Sequence, residues 1–404
     1  MSPAGEVRAV LSRRGWALSR RADAGRLSFV VSRDGRELFE FTGAASPQAG
    51  RSLMPAVRLK TVPRAGARLT AADKAGQAEL RAALDLLMET ARRAGAAGGT
   101  ALSESHEGHE GRDLLLRTTF ACNQKCAFCF VPMTGKSADF AEIERELDAQ
   151  ASRAGERGEL TLSGGEPTSD PRLLKIVDAA RARGFRRFVL QTNGVYLARP
   201  GLLDELVRRG VKAFLFSLHS HKPAAYDAIT GSRGQYARAV KGLEALLKRP
   251  GLSVTVNTVV NARNYRDLPG LVEFLARRGR PDVYFSMINE VGHQKAPSWT
   301  VALEDAAPFL RRAVARCREK GLSVSRSGGE SSFPVCLLGD PARHASKRPL
   351  PQERVRYAED FSGEAGVIGR AKLPSCRSCV YDARCVGVPA QYARLHGLAA
   401  LRAP

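Results

Sequence analysis

The chain has 404 residues, 44% of them hydrophobic and 26% charged, enough to bury a sizeable core spread over two or three domains. No run approaches eighteen consecutive apolar residues, and Met1-Ser2-Pro3-Ala4-Gly5-Glu6-Val7-Arg8 has no apolar segment after its few charges, so neither a membrane span nor a signal peptide is expected and the reading is soluble and cytoplasmic. The net charge of +22 raises nucleic acid as a partner, but residues 1–110 hold 17 basic and 12 acidic residues, the remaining excess is spread along the chain, and Arg outnumbers Lys 50 to 13, so RNA stays an alternative that is not favoured.

Residues 1–97 read as a small N-terminal α+β unit. Two strand-like runs, 27–32 and 37–41, flank Arg33-Asp34-Gly35-Arg36, a hairpin signal built on Asp-Gly. Residues 71–94 then read as a helix with Leu80, Leu84, Leu87 and Met88 on one face. The stretch 98–112 is polar and glycine-rich and is expected to be a linker; His106 and His109 invite a metal reading, though a solvated linker explains them as well.

An apolar run, Leu114-Leu115-Leu116, leads into Cys122, Cys126 and Cys129 at C-x3-C-x2-C spacing. Three thiolates on one tight loop hold three irons of a 4Fe–4S cluster and leave the fourth open to a non-protein ligand. Zinc is the alternative, but it usually takes four N or S ligands, and no histidine follows Cys129 closely. The eight cysteines fall mostly into tight groups of this kind, which fits a reducing compartment better than a disulfide framework.

From 113 to 290, strands expected at 114–120, 159–163, 187–192, 213–218, 253–259 and 282–287 alternate with helices at 140–154, 173–183, 202–209, 236–248 and 268–278. That alternation implies a parallel, right-handed α/β sheet, with functional groups at the C-terminal strand ends. Ser163-Gly164-Gly165-Glu166-Pro167 follows the second strand: Gly164 and Gly165 allow close backbone approach to a ligand and Glu166 supplies an acceptor. Gln191-Thr192-Asn193-Gly194 and Phe216-Ser217-Leu218-His219-Ser220 end the next two strands on polar side chains, although Asn193-Gly194 also reads as a simple turn. Asn257 is an amide inside an apolar strand and is expected to face a cofactor. His219 and His221 are placed to touch substrate, with a structural role the commoner one for His219.

Cysteines return in the C-terminal extension, 291–404. Cys376, Cys379 and Cys385 at C-x2-C-x5-C, with the remote Cys336, make four thiols, enough to ligate one further 4Fe–4S cluster or a zinc ion. Cys317, in a helical stretch at 309–320, is read as a structural thiol.

The Cys122–Cys129 spacing, with Phe128 just before the third cysteine, and the Gly164-Gly165-Glu166-Pro167 element one strand later resemble the radical S-adenosylmethionine (radical SAM) family. The resemblance covers 113 to about 390. It implies an open partial (β/α)6 TIM-like barrel and a catalytic 4Fe–4S cluster on Cys122, Cys126 and Cys129 whose open iron chelates S-adenosylmethionine. In that family the reduced cluster cleaves the cofactor to a 5′-deoxyadenosyl radical, which abstracts hydrogen from the substrate. It further implies that the Gly164-Gly165-Glu166 element contacts the methionine amino group and that Thr192 and Ser217 help hold the ribose and carboxylate. Tyr226-Asp227-Ala228-Ile229-Thr230-Gly231 resembles a recurrent family loop, expected to precede a helix. The C-terminal cysteines resemble the SPASM and twitch extensions, here with one auxiliary cluster rather than two because no cysteine follows Cys385. The expected function is radical modification of a peptide or protein side chain, served by a reductant such as flavodoxin or ferredoxin; a nucleotide, RNA or small-molecule substrate is the alternative, and a non-catalytic iron–sulfur scaffold the reading from another class.

Overall fold

The computed structural model describes residues 11–12, 14, 16–23, 26–33, 36–44, 60–63, 70, 73–75, 77, 80, 84, 103–106, 113–129, 131, 133–154, 158–288, 299–326, 332–347, 349–350, 355–357 and 370–401. Two compact units divide between Ala101 and Leu102. In the first, strands β1 (Ala17–Asp23), β2 (Arg26–Arg33), β3 (Arg36–Ala44) and β4 (Lys60–Pro63) form one antiparallel sheet in that order. The Asp-Gly hairpin signal is answered by the β2–β3 register, which closes on Arg33 opposite Arg36. Strands β1 and β4 were not legible, because their residues carry little apolar alternation. Thr70 and Asp73 make a reciprocal capping box: the Asp73 carboxylate accepts from the Thr70 amide at 3.0 Å, and the Thr70 hydroxyl accepts from the Asp73 amide at 3.1 Å. Helical residues follow at 73–75, 77, 80 and 84, with Leu80 and Leu84 buried as expected; Leu87, Met88 and His109 lie outside the described residues.

The second unit is built on a seven-stranded sheet. Strands β6 (Asp113–Thr119), β7 (Glu159–Gly164), β8 (Arg187–Thr192), β9 (Val211–Ser217), β10 (Ser253–Val259) and β11 (Asp282–Ser286) are parallel and lie side by side in chain order. Helices Phe140–Ala154, Leu173–Ala182, Leu202–Arg208, Tyr236–Leu247 and Leu268–Ala276 connect them, each within two residues of its expected bounds. One correction concerns the linker: Ser103–His106, inside the stretch expected to be unstructured, is a strand, β5, paired antiparallel to β6 at the edge of this sheet. A second concerns residues 226–230, which do not merely precede a helix but form the body of one, Pro223–Thr230, ended by Gly231 in the left-handed region.

The alternation along the strands separates two faces. Leu114, Leu116, Leu160, Leu162, Phe188, Leu190, Phe214, Phe216, Val254, Val256, Val283 and Phe285 pack into the core that includes the connecting helices. The opposite face is mixed: Arg117, Thr161, Ser163, Gln191, Ser217, Asn257, Tyr284 and Ser286 stand on it beside Leu115, Val189, Ala213, Leu215 and Val259. Parallel sheets are ordinarily apolar on both faces because both are covered. Polar side chains along the second face mark this one as the wall of a site.

Packing between two connections is close enough to dictate glycine. A Cβ on Gly242, in helix Tyr236–Leu247, would lie 2.1 Å from the Gly194 carbonyl oxygen, and one on Gly194 (φ 72°) would lie 2.0 Å from the Phe216 ring. Gly to Ala inside a helix ordinarily stabilises by about 1 kcal/mol. Gly242→Ala should instead destabilise by about 1–3 kcal/mol through overpacking, read as a fall in the midpoint of thermal unfolding.

Candidate cluster and cofactor site

The loop that carries Cys122, Cys126 and Cys129 leaves β6 at its C-terminal end, and neighbouring elements fix it at almost every residue. The Gly165 amide donates to the Thr119 carbonyl at 2.7 Å and the Glu166 amide to Ala121 at 2.9 Å, so the β7 turn lies backbone to backbone against the start of the cysteine loop. A Cβ on Gly164 (φ 131°) would stand 2.2 Å from the Thr119 carbonyl oxygen, and one on Gly165 2.0 Å from that of Ala121. Both glycines are therefore required by the cysteine loop. The sequence had suggested close approach to a ligand; what approaches is protein backbone.

On its other side the loop rests on the end of helix Pro223–Thr230. Lys125 and Ala127 amides donate to the Thr230 and Ile229 carbonyls at 2.8 and 3.1 Å, and the Gln124 amide group donates to the Tyr226 hydroxyl at 2.6 Å. Asn123 donates to Gln235 at 2.7 Å and its own carbonyl accepts from Gln235 at 2.9 Å. Within the loop, the Gln124 amide points at Cys122 Sγ, 3.4 Å away. All three thiols are pushed up by burial, Cys122 to about 12, and Cys126 further by the negative charge of Cys129 and Cys122. Each is a site where negative charge lacks a compensating cation.

Glu166 is 1% exposed. Its Oε1 accepts from the Thr168 amide at 3.0 Å, from the Thr168 hydroxyl, and from the Thr192 hydroxyl at 2.7 Å; Oε2 accepts from the Asn193 amide at 2.7 Å. Burial raises its pKa, against the lowering effect of these donors. The side chain expected to meet a cofactor amino group ties the β7 turn to the β8 turn. Thr192 belongs to the same network. It is 3% exposed, donates to Glu166, and accepts from the Gly194 amide at 2.9 Å.

Asn193, for which the sequence offers both a polar strand end and a simple turn, reaches the cysteines. Its side-chain amide donates to Asn123 Oδ1 at 2.8 Å and stands 3.9 Å from Cys122 Sγ. Ser217 and Asn257 are register partners on β9 and β10, half-buried on the face away from the core, with Tyr284 next in the same row. Asn257 Oδ1 accepts from the Ser286 hydroxyl at 2.8 Å. Arg117, Ser163, Gln191 and Tyr284 stand on the same face and were not singled out from the sequence; the signal that marks them is strand alternation, which sets them opposite the core positions.

His219 is 4% exposed; its Nδ1 accepts from the Val259 amide at 3.2 Å and its ring meets Phe128 edge to face at 4.8 Å. Burial lowers its pKa to about 3, so it is neutral at physiological pH and supports Phe128 rather than moving protons. His221 packs against Phe274 and Gly270, on the helical layer.

In the C-terminal part, Cys336, Cys376, Cys379 and Cys385 line one cavity together with Lys372 and Asp382. Cys336 lies in the short turn Val335–Leu337, Cys376 in Pro374–Ser378, and Cys385 directly follows Asp382–Arg384. Amides two residues on, those of Tyr381 and Gly387, point at Cys379 and Cys385 Sγ at 3.4 Å, the arrangement already seen at Cys122. Among the described residues no group of three or more His, Cys, Asp or Glu closes to the spacing of a single metal ion. A cluster is larger than an ion, and its thiols stand correspondingly farther apart. Cys317 is buried in helix Leu303–Glu319, consistent with a structural thiol. Among the described residues no helix is long and apolar enough to cross a membrane.

A pH dependence follows from His219. Its folded pKa near 3 lies below the ordinary 6.5, so the unfolded chain takes up a proton first, and the stability it contributes above pH 6.5 is lost as pH falls toward 3. His219→Gln should flatten this decline by about 1.4 kcal/mol per pH unit between pH 6 and 5, measured by denaturant unfolding across that range.

Residues 116–275 match the model of the radical SAM superfamily. Among similar proteins, a probable GTP 3′,8-cyclase of Saccharolobus islandicus is 28% identical over 183 residues, 45% of this chain and 58% of the cyclase. The PqqA peptide cyclase of Ruegeria pomeroyi is 32% identical over 175 residues, 41% of this chain and 44% of the other. The chain thus spans about half the length of these relatives. Among solved structures, Streptococcus suis SuiB bound to precursor peptide SuiA superposes with a TM-score of 0.44 at 16% identity, over 68% of this chain and 58% of SuiB. With their cysteine loop at the end of the first parallel strand, residues 116–275 are similar to the radical SAM superfamily, whose members use a 4Fe–4S cluster and S-adenosylmethionine.

Proposed function

We propose that this chain is an enzyme that reductively cleaves S-adenosylmethionine at a 4Fe–4S cluster on Cys122, Cys126 and Cys129, the resulting 5′-deoxyadenosyl radical taking hydrogen from a peptide or protein side chain. The observation that carries the reading is the convergence, at the C-terminal ends of β6, β7 and β8, of three half-buried thiols and the Glu166 network beside them. The donor set fits the cluster. Thiols raised by burial and by one another's charge are relieved by a cationic iron site, and three of them leave one iron position without a protein ligand.

The chain's own residues have separable tasks. Cys122, Cys126 and Cys129 bind; Gly164 and Gly165 let the β7 turn lie against their loop; Glu166 and Thr192 lock that turn; Asn193 and Asn123 hold the Cys122 side. Ser217 and Asn257, on the face away from the core, supply hydrogen bonds to the cofactor. His219 and Phe128 close the loop's apolar side against water. In the C-terminal extension, Cys336, Cys376, Cys379 and Cys385 hold one auxiliary 4Fe–4S cluster, as in a twitch-like module. The electron comes from a reductant such as flavodoxin or ferredoxin.

A peptide substrate is supported by the likeness to a peptide cyclase, and a nucleotide by the likeness to a GTP cyclase. The greater identity to the former favours the peptide. Anaerobic reconstitution with iron and sulfide, followed by dithionite reduction, should yield about eight irons per chain and 5′-deoxyadenosine. In Cys126→Ala, iron should fall to about four and 5′-deoxyadenosine should disappear. Cleavage stimulated by GTP and not by peptides would select the second substrate. A fully loaded protein that never cleaves S-adenosylmethionine would make the chain a scaffold.

A further inference from the structure

The four-thiol cavity contains a charge for which cysteine ligation gives no reason. Lys372 lines it and is 1% exposed, among the largest fully buried side chains of the protein. Its Nζ donates to the Asp382 side chain and to the Asp382 carbonyl, both at 2.8 Å. The two partners are buried unequally: the Lys372 side chain is 1% exposed and that of Asp382 23%. Water screens the carboxylate and not the ammonium, so the pair leaves a net positive field on the cavity side. The backbone makes room for this lysine. Gly387 (φ 69°) packs so closely on β13 (Arg370–Lys372) that a Cβ there would lie 2.7 Å from Lys372 Cγ and 2.1 Å from the Ala371 carbonyl oxygen.

A buried ion pair contributes little net stability against an apolar pair of the same volume, so stapling β13 to the Asp382 turn does not by itself account for a lysine here. Four thiolates account for it better. Their cluster carries net negative charge, and one added electron makes it more negative by one unit, a change that an unscreened cation beside it favours.

Resting on the auxiliary-cluster reading above, we propose that Lys372 is a positioning charge that raises the reduction potential of a 4Fe–4S cluster on Cys336, Cys376, Cys379 and Cys385, with Asp382 moderating it. The step is a one-electron reduction: the cluster gains an electron from an external one-electron reductant, and no bond to Lys372 forms or breaks.

The test is a redox titration followed by electron paramagnetic resonance in the Cys126→Ala background, where only this cluster remains, with dithionite and mediators as the probe. Lys372→Met should lower the midpoint potential, Asp382→Asn should raise it, and Lys372→Arg should leave it near the parent value. Opposite shifts from the two partners are not produced by a merely structural pair, which would lose iron in both variants. If Lys372→Met does not fold, Asp382→Asn decides alone, an unchanged or lowered potential overturning the proposal. About four irons with equal potentials in all variants would overturn the proposal and leave the cluster reading intact. No iron in the Cys126→Ala parent would overturn the cluster reading, and the proposal with it.

Discussion

The structure depends on one buried carboxylate. Glu166 has no access to water, and an ionisable group in that position is tolerated only where donors replace its hydration. Those donors come from Thr168 in its own turn and from Thr192 and Asn193 at the end of the next strand. To satisfy one side chain, the ends of β7 and β8 must therefore keep one relative position. The adjoining backbone extends the constraint to β6, since Gly165 and Glu166 donate into the first residues of the cysteine loop. Asn193 and Asn123 then carry it to Cys122, and Gln235 and Tyr226 to the helices behind. Residues 120–129, which have no regular structure, are thus tied to the strand ends and helices around them.

The two faces of the parallel sheet divide the work of folding and function. The face that packs against the connecting helices is mainly apolar, broken by the buried Thr118, Thr192 and Thr258, and that packing supplies the stability. The opposite face contributes hydrogen-bonding groups in register, Ser217 beside Asn257 beside Tyr284, and is joined to the C-terminal extension through the Tyr284 hydroxyl, 3.0 Å from that of Ser332. Arg370, whose guanidinium donates to the Ser332 carbonyl at 2.9 Å and also to Gly387, continues that path to the turn carrying Cys385. The edge of the sheet and the four-thiol cavity are parts of one hydrogen-bonded assembly.

How much of this was legible in the sequence follows from the range of each interaction. Strands and helices between 113 and 290 follow from periodicity, which is local, and their bounds agree to within a residue or two. Both cysteine groups were legible because their spacing is local too. The role of Glu166 was not, because its decisive partners, Thr192 and Asn193, lie 26 and 27 residues away and look like an ordinary strand end. Gly164 and Gly165 were found, but the surface they approach belongs to another strand and cannot be read from their own. β5 was hidden because Ser-Glu-Ser-His has no apolar residue: at the sheet edge, backbone pairing to β6 suffices. Lys372 was invisible for a similar reason, since nothing in Arg-Ala-Lys announces that its cation is buried beside thiols.

The two thiol groups use the same local device in opposite electrostatic settings. In each, an amide two residues after a cysteine points at its sulfur, a short-range donor that any tight turn can supply. Beyond that shell they diverge. At the first, burial disfavours negative charge on Cys122 and the Glu166 carboxylate adds to it; at the second, burial and the neighbouring thiols Cys385 and Cys379 disfavour it on Cys376, and Lys372 opposes them. Equal ligands in unequal fields do not bind charge equally. Because the strand ends fix the first field and the C-terminal turns fix the second, this difference belongs to the fold of the chain, whichever substrate is bound.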